Sequence, residues 1–106
     1  MSDVLPPDDI TSRLIADGLV GWAFASDALH ARFTTGGFAA GLAFVQRVGE
    51  AAEELDHHPD LDLRYTFVDV HSTSHDVGGV TRRDLRLARR IAEIAADAGL
   101  TAAPTD

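Results

Sequence analysis

The chain has 106 residues, enough for one domain with a real but modest core, and its apolar and charged fractions are those of a folded globular protein. It has no cysteine, which excludes disulfides and thiolate metal sites. A net charge of −8 argues against non-specific nucleic-acid binding, and no apolar run is long enough to span a membrane. The acidic start Met1-Ser2-Asp3-Val4 has no basic n-region, so no signal peptide is expected and a cytoplasmic location is the default.

A single domain over residues 1–106 is expected, with residues 1–7 a frayed tail ending in Pro6-Pro7. Asp8-Asp9 offers an N-cap, and Ile10, Leu14 and Ile15 mark the apolar side of a short helix that Gly18 ends. Residues 21–25 and 28–33 read as a hairpin turning at Ser26-Asp27. Thr34-Thr35-Gly36-Gly37 leads into a long helix. Phe38, Leu42, Val45, Val48, Ala52 and Leu55 form its expected apolar face. Pro59 bars its continuation.

The period then changes to two. Leu61, Leu63 and Tyr65 share one face of a strand, with Asp60, Asp62 and Arg64 on the other. Residues 67–75 read as a second strand. Val68, Val70, Ser72 and Ser74 lie on one face; Phe67, Asp69, His71, Thr73 and His75 lie on the other. A glycine-containing turn follows, and Thr81 with Asp84 makes a capping box for a last helix. Leu87, Ala88, Ile91, Ile94, Ala95 and Ala98 are its expected apolar stripe, with Gly99 as the stop. The order α-β-β-α-β-β-α predicts an α+β fold: a four-stranded antiparallel sheet with helices packed on one face.

Chemistry concentrates between Glu53 and Asp84. Histidine is the side chain whose ordinary pKa, about 6.5, lies nearest neutrality, which suits it to proton transfer, metal binding or switching. His57 and His58 fall at a helix-to-strand turn. His75 lies at the returning end of the next strand pair, so a tight hairpin brings the three to one rim of the sheet. A three-histidine zinc site is one possible use. These three do not have the His-x-x-x-His spacing of helical zinc sites, however, and adjacent histidines chelate awkwardly. Acid/base catalysis on a polar substrate is another use. All nine basic residues are arginine, and five of them (Arg82, Arg83, Arg86, Arg89, Arg90) line the last helix. They read as a solvated face or a docking patch for an acidic partner.

The spaced set Glu53, His57, His58, Pro59, Tyr65, His75 and Asp84 resembles the motif of the pterin-4a-carbinolamine dehydratase (4a-hydroxytetrahydrobiopterin dehydratase) family, with every gap matched. The long helix from Phe38, the Asp76-Val77-Gly78-Gly79-Val80-Thr81 loop and Gly21-Trp22 also resemble it, so the likeness spans the chain. It implies the same α+β fold and a hydro-lyase that dehydrates 4a-hydroxytetrahydropterin to quinonoid dihydropterin in tetrahydrobiopterin recycling. It further implies catalytic His57, His58 and His75, with substrate contacts from Asp56, His57, His58, Thr73, Ser74, His75 and Asp76. No metal and no organic cofactor is implied. The implied partners are a small-molecule pterin and further copies of the chain, as homodimer or homotetramer, with no nucleic acid bound directly and no membrane. Within this set, His58 and His75 are expected to flank the reacting centre while His57 positions the ring.

Asp84 reads as a helix cap rather than a catalytic group. Glu53 serves either the end of its helix or a histidine. His30 and His71 read as ordinary surface or strand residues, and Tyr65 as core. Leu61 stands where many members carry Trp, Ser72 where Leu or Ile is usual, Ser74 in place of Thr, and Thr35 in place of a Phe. Leu61 and Ser72 are expected to weaken apolar packing behind the site. The competing function is a catalytically silent relative acting as an assembly factor or dimerisation cofactor.

Overall fold

The computed structural model describes residues 3–103. The elements run α1 (Pro7–Ala16), β1 (Ala23–Ala25), β2 (Ala28–Thr34), α2 (Phe38–Leu55), β3 (Asp60–Leu63), β4 (Phe67–Ser72), α3 (Arg82–Asp97) and β5 (Ala102–Ala103). All pairings are antiparallel, in the order β1-β2-β4-β3, with β5 also pairing with β2. The expected α+β order holds, with a fifth strand added. A two-alanine strand has no periodicity to read. Its seat depends on Gly21, at φ 88°, where a Cβ would lie 2.3 Å from the Ala102 carbonyl oxygen. Only glycine tolerates both that dihedral and that approach.

Period-two burial orients the sheet. Leu29, Ala31, Phe33, Val68, Val70 and Ser72 are buried, while their neighbours His30, Arg32, Asp69 and His71 are half-exposed. The helices cover the first face, and Phe33, Phe44, Val48, Leu87, Ile91 and Ile94 fill the space between. Phe33 packs at 4.9 Å from Phe44 and 6.0 Å from Trp22, ring centre to ring centre. Truncating any one of the large aliphatics here to Ala would cost about 2–5 kcal/mol.

Several sequence expectations are corrected. The segment before α1 is anchored where it is described: Leu5 N–H donates to Val80 O at 2.9 Å and its side chain packs on the core. Pro6 takes the N-cap position with Pro7 at the first helical position, and Asp8 and Asp9 fall in the first turn, where they complement the helix dipole. Ile15 is exposed. In α2 the buried face contains Gly41, Phe44, Val48, Ala51 and Ala52, whereas Phe38 and Leu42 are half-exposed. The first half of this helix, residues 38–45, is apolar all round, so periodicity could not choose the face there. Gly41 decides it by letting the Leu63 side chain approach to where a Cβ would be 2.8 Å away.

Strand ends also shift. Arg64 N–H donates to Phe67 O at 2.9 Å, which closes a turn and leaves Tyr65 exposed rather than in the core. The strand expected over residues 67–75 ends at Ser72; beyond it Ser74 bridges Gly79 and His75 lies in the intervening turn. In α3 Leu85 joins the buried stripe and Ala98 leaves it.

Candidate active site

α2 ends in a left-handed residue, Asp56 at φ 50°, three positions before the proline that the sequence offers as the stop. His57 N–H donates to Ala52 O at 3.0 Å and Asp56 N–H to Glu53 O at 3.2 Å, the paired bonds of a Schellman turn. That turn throws the chain back across the helix end, so His57 points inward while His58 returns over the last turn of α2. His57 is 8% exposed. His58 Nε2 hydrogen-bonds the exposed Glu53 carboxylate. Glu53 thus orients a histidine, one of the two roles its position allowed.

At the other side of the site, the N-terminus of α3 is capped reciprocally. Thr81 Oγ1 accepts from Arg83 N–H at 3.1 Å, and Thr81 N–H donates to Asp84 Oδ2 at 2.9 Å. Asp84 is the cap that the sequence reading expects, and it does more. Its Oδ1 receives His57 Nε2 and Ser72 Oγ, each at 2.6 Å, and its Oδ2 receives Ser74 Oγ at 2.7 Å besides Thr81 N–H. The carboxylate is fully buried and has four donors from three separate stretches of chain. Burial pushes its carboxyl up, but the hydrogen bonds from His57, Ser72, Thr81 and Ser74 outweigh that and hold it below the ordinary carboxylate range.

An ionised carboxylate only accepts, so proton positions follow from the network. Ser72 and Ser74 donate to Asp84. The Thr81 hydroxyl then donates to Ser74 Oγ, 2.9 Å away. His57 carries its proton on Nε2, facing Asp84, and Nδ1 is the nitrogen left for other chemistry. Ser72 therefore does not weaken apolar packing; it supplies a hydroxyl to the charge behind His57. Sequence reasoning missed Ser72 and Ser74 as partners of Asp84. The available signal was two hydroxyl residues, Ser72 and Ser74, alternating on the core face of a strand, where buried polar groups need partners.

His75 is exposed on the turn after Ser74. Asp76 beside it is paired with Arg83 at 2.9 and 3.1 Å, and that hydrogen bond, outweighing a smaller upward push from desolvation, holds its carboxyl below the ordinary range. Thr73 Oγ1 donates to Asp27 O at 2.7 Å. The hydroxyls of Thr73 and Ser74 are thus both engaged within the protein, whereas Asp56 and His75 face outward. Among the described residues no group of three or more His, Asp or Glu side chains is arranged to hold a metal ion. Open cavities lie elsewhere: one of about 540 Å³ touches Thr81, Arg82 and Arg83, and one of about 510 Å³ lies along α1 and Trp22.

The sequence profile of the family described as pterin 4 alpha carbinolamine dehydratase matches residues 3–94. The chain belongs to this family. It is 43% identical over 88 residues to a protein of Thermomicrobium roseum, covering 83% of this chain and 95% of that one. It is 42% identical over 90 residues to a Halobacterium salinarum protein, covering 85% and 94%. Both carry the provisional name pterin-4-alpha-carbinolamine dehydratase. A crystal structure from Brucella melitensis, described as a transcriptional coactivator/pterin dehydratase, superposes with a TM-score of 0.80 at 32% identity, over 87% of this chain and 98% of that one. The family's fold is therefore this chain's fold, and no helix among the described residues is long and apolar enough to cross a membrane.

Proposed function

We propose that the protein is a hydro-lyase that dehydrates 4a-hydroxytetrahydropterin, 4a-hydroxytetrahydrobiopterin in the leading case, to quinonoid dihydropterin and water. The observation that carries this reading is the buried His57–Asp84 pair set beside the outward-facing His58 and His75. In the reaction the C4a–O bond breaks and the leaving hydroxyl takes a proton to become water. The N5 lone pair forms the C4a=N5 bond, and N5 then loses its proton. One acid and one base suffice, each contributing about 10²–10⁴-fold.

Exposure supports a division of roles. His58, backed by Glu53, and His75, on a surface turn, are placed to exchange protons with a bound pterin and with water. His57 is seated by Asp84 and presents Nδ1, which suits holding the ring. Asp56, Asp76 and the backbone at Thr73 and Ser74 supply the remaining ring contacts. The chemistry needs no metal or organic cofactor. A cytoplasmic homodimer or homotetramer is part of the same proposal.

The test is the dehydration rate of freshly generated 4a-hydroxytetrahydropterin. His58→Ala and His75→Ala should each slow it by about 10²-fold or more. No acceleration by the wild-type chain, with His58→Ala equal to it, sinks the reading.

The second reading is a silent binding protein, an assembly factor or dimerisation cofactor. The coactivator description of the Brucella protein favours it. So does α3, where Arg82 and Arg86 are exposed. A partner pull-down unaffected by Arg86→Glu with Arg90→Glu removes its main support.

A further inference from the structure

We infer that Ser72 is a positioning residue for His57, acting through Asp84; its catalytic meaning rests on the dehydratase reading above. The Asp84 carboxylate is already fixed at Oδ2 by Ser74 and by the Thr81 backbone. Its Oδ1 would be satisfied by His57 alone. The structure adds a second donor to that same oxygen: Ser72 Oγ lies 2.6 Å from Oδ1, as His57 Nε2 does. Ser72 is 1% exposed, so its hydroxyl has no water to turn to and is committed to this bond.

Two consequences follow. First, the carboxylate is held at Oδ1 by β4 as well as at Oδ2 by Ser74 and the cap of α3, so it cannot rotate away from the imidazole. Second, two donors share the negative charge of one oxygen, and each weakens the pull on the other in a low-dielectric interior. Ser72 therefore sets how strongly Oδ1 holds the His57 Nε2 proton, and through the ring how Nδ1 is aimed and how readily it accepts a bond. Ser72 touches no position that a ligand could occupy; it acts entirely through Asp84.

The experiment uses the full chain, labelled with ¹⁵N. The His57 side-chain Nε2–H resonance is followed by NMR in wild type, Ser72→Ala and Ser72→Thr, alongside kcat and KM for pterin dehydration. In Ser72→Ala the resonance should move downfield, because Oδ1 then serves one donor. In Ser72→Thr, which keeps the hydroxyl, it should return toward the wild-type position. The Ala variant should lower kcat by about threefold to tenfold, because a pterin ring held askew by His57 meets His58 and His75 less often in reactive geometry, and leave KM unchanged. An unmoved resonance in folded Ser72→Ala, or a Thr variant that behaves like Ala, overturns the proposal. If Ser72→Ala does not fold, Ser72→Cys, close in size with a weaker donor, should show the same displacement at smaller amplitude, and its absence is equally fatal. The NMR readings need no substrate. A resonance that responds to Ser72 in a protein that dehydrates no pterin leaves the positioning standing and removes the dehydratase.

Discussion

His57 and His71 each meet an aspartate, yet the two pairs are built for different work. His57 and Asp84 lie under the helices, 9% and 0% exposed at their side chains, with a 2.6 Å contact and three further donors on the carboxylate. His71 and Asp60 lie on the open face of the sheet, 36% and 73% exposed and 3.1 Å apart, with His30 packed edge-on at 4.7 Å. Water screens the second pair and can replace either partner. Nothing can replace Asp84 without stranding a buried imidazole, two hydroxyls and a backbone N–H. The same residue types therefore make a rigid seat in one place and an exchangeable surface contact in the other.

That contrast is most severely tested by Asp84→Ala. Removing the acceptor of four buried donors should cost about 3–5 kcal/mol, read by urea denaturation. A loss under about 1 kcal/mol would mean that water reaches the seat and that the two pairs are alike.

Acid should tell the pairs apart next. The Asp84 carboxyl titrates lower in the folded chain than in the unfolded one, whose value is about 3.9. Its contribution is therefore present in full above that value and is lost as pH falls through the lower folded value. Denaturation midpoints measured from pH 5 downward should drop steeply in wild type and by less in Asp84→Asn. Parallel curves for the two proteins would contradict this.

Ser74→Ala should cost roughly 1–3 kcal/mol, since it leaves both Asp84 Oδ2 and the Thr81 hydroxyl short of a partner. Asp60→Asn on the open face should change stability by less than about 1 kcal/mol, and added salt should shrink even that. An Asp60→Asn cost equal to that of Ser74→Ala would erase the distinction.

Much of this was visible along the chain. The alternation of Val68, Val70, Ser72 and Ser74 put them on one face, and all four are buried. Thr81 and Asp84, three apart, form the capping box. Gly18 and Gly99 take positive φ where their helices stop, and Ser26-Asp27 turns the first hairpin. These features depend on neighbours a few positions away, and local periodicity and turn chemistry reveal such neighbours. The spacing from Glu53 to Asp84 likewise carried the family.

What escaped was the choice of side-chain partners between elements far apart along the chain. Residues 57 and 84 are 27 positions apart, and Asp84's adequacy as a cap concealed its bond to His57. Ser72 read as a gap in apolar packing because its acceptor lies on another element. The all-round apolarity of residues 38–45 left the buried face at the start of α2 to be chosen by Gly41 against Leu63, and the alanines of β5 acquired a strand partner only where Gly21 made room. Reading along the chain assigns each residue a face. Which groups meet on that face is set by packing in three dimensions, where a buried acceptor must find its donors wherever the fold brings them.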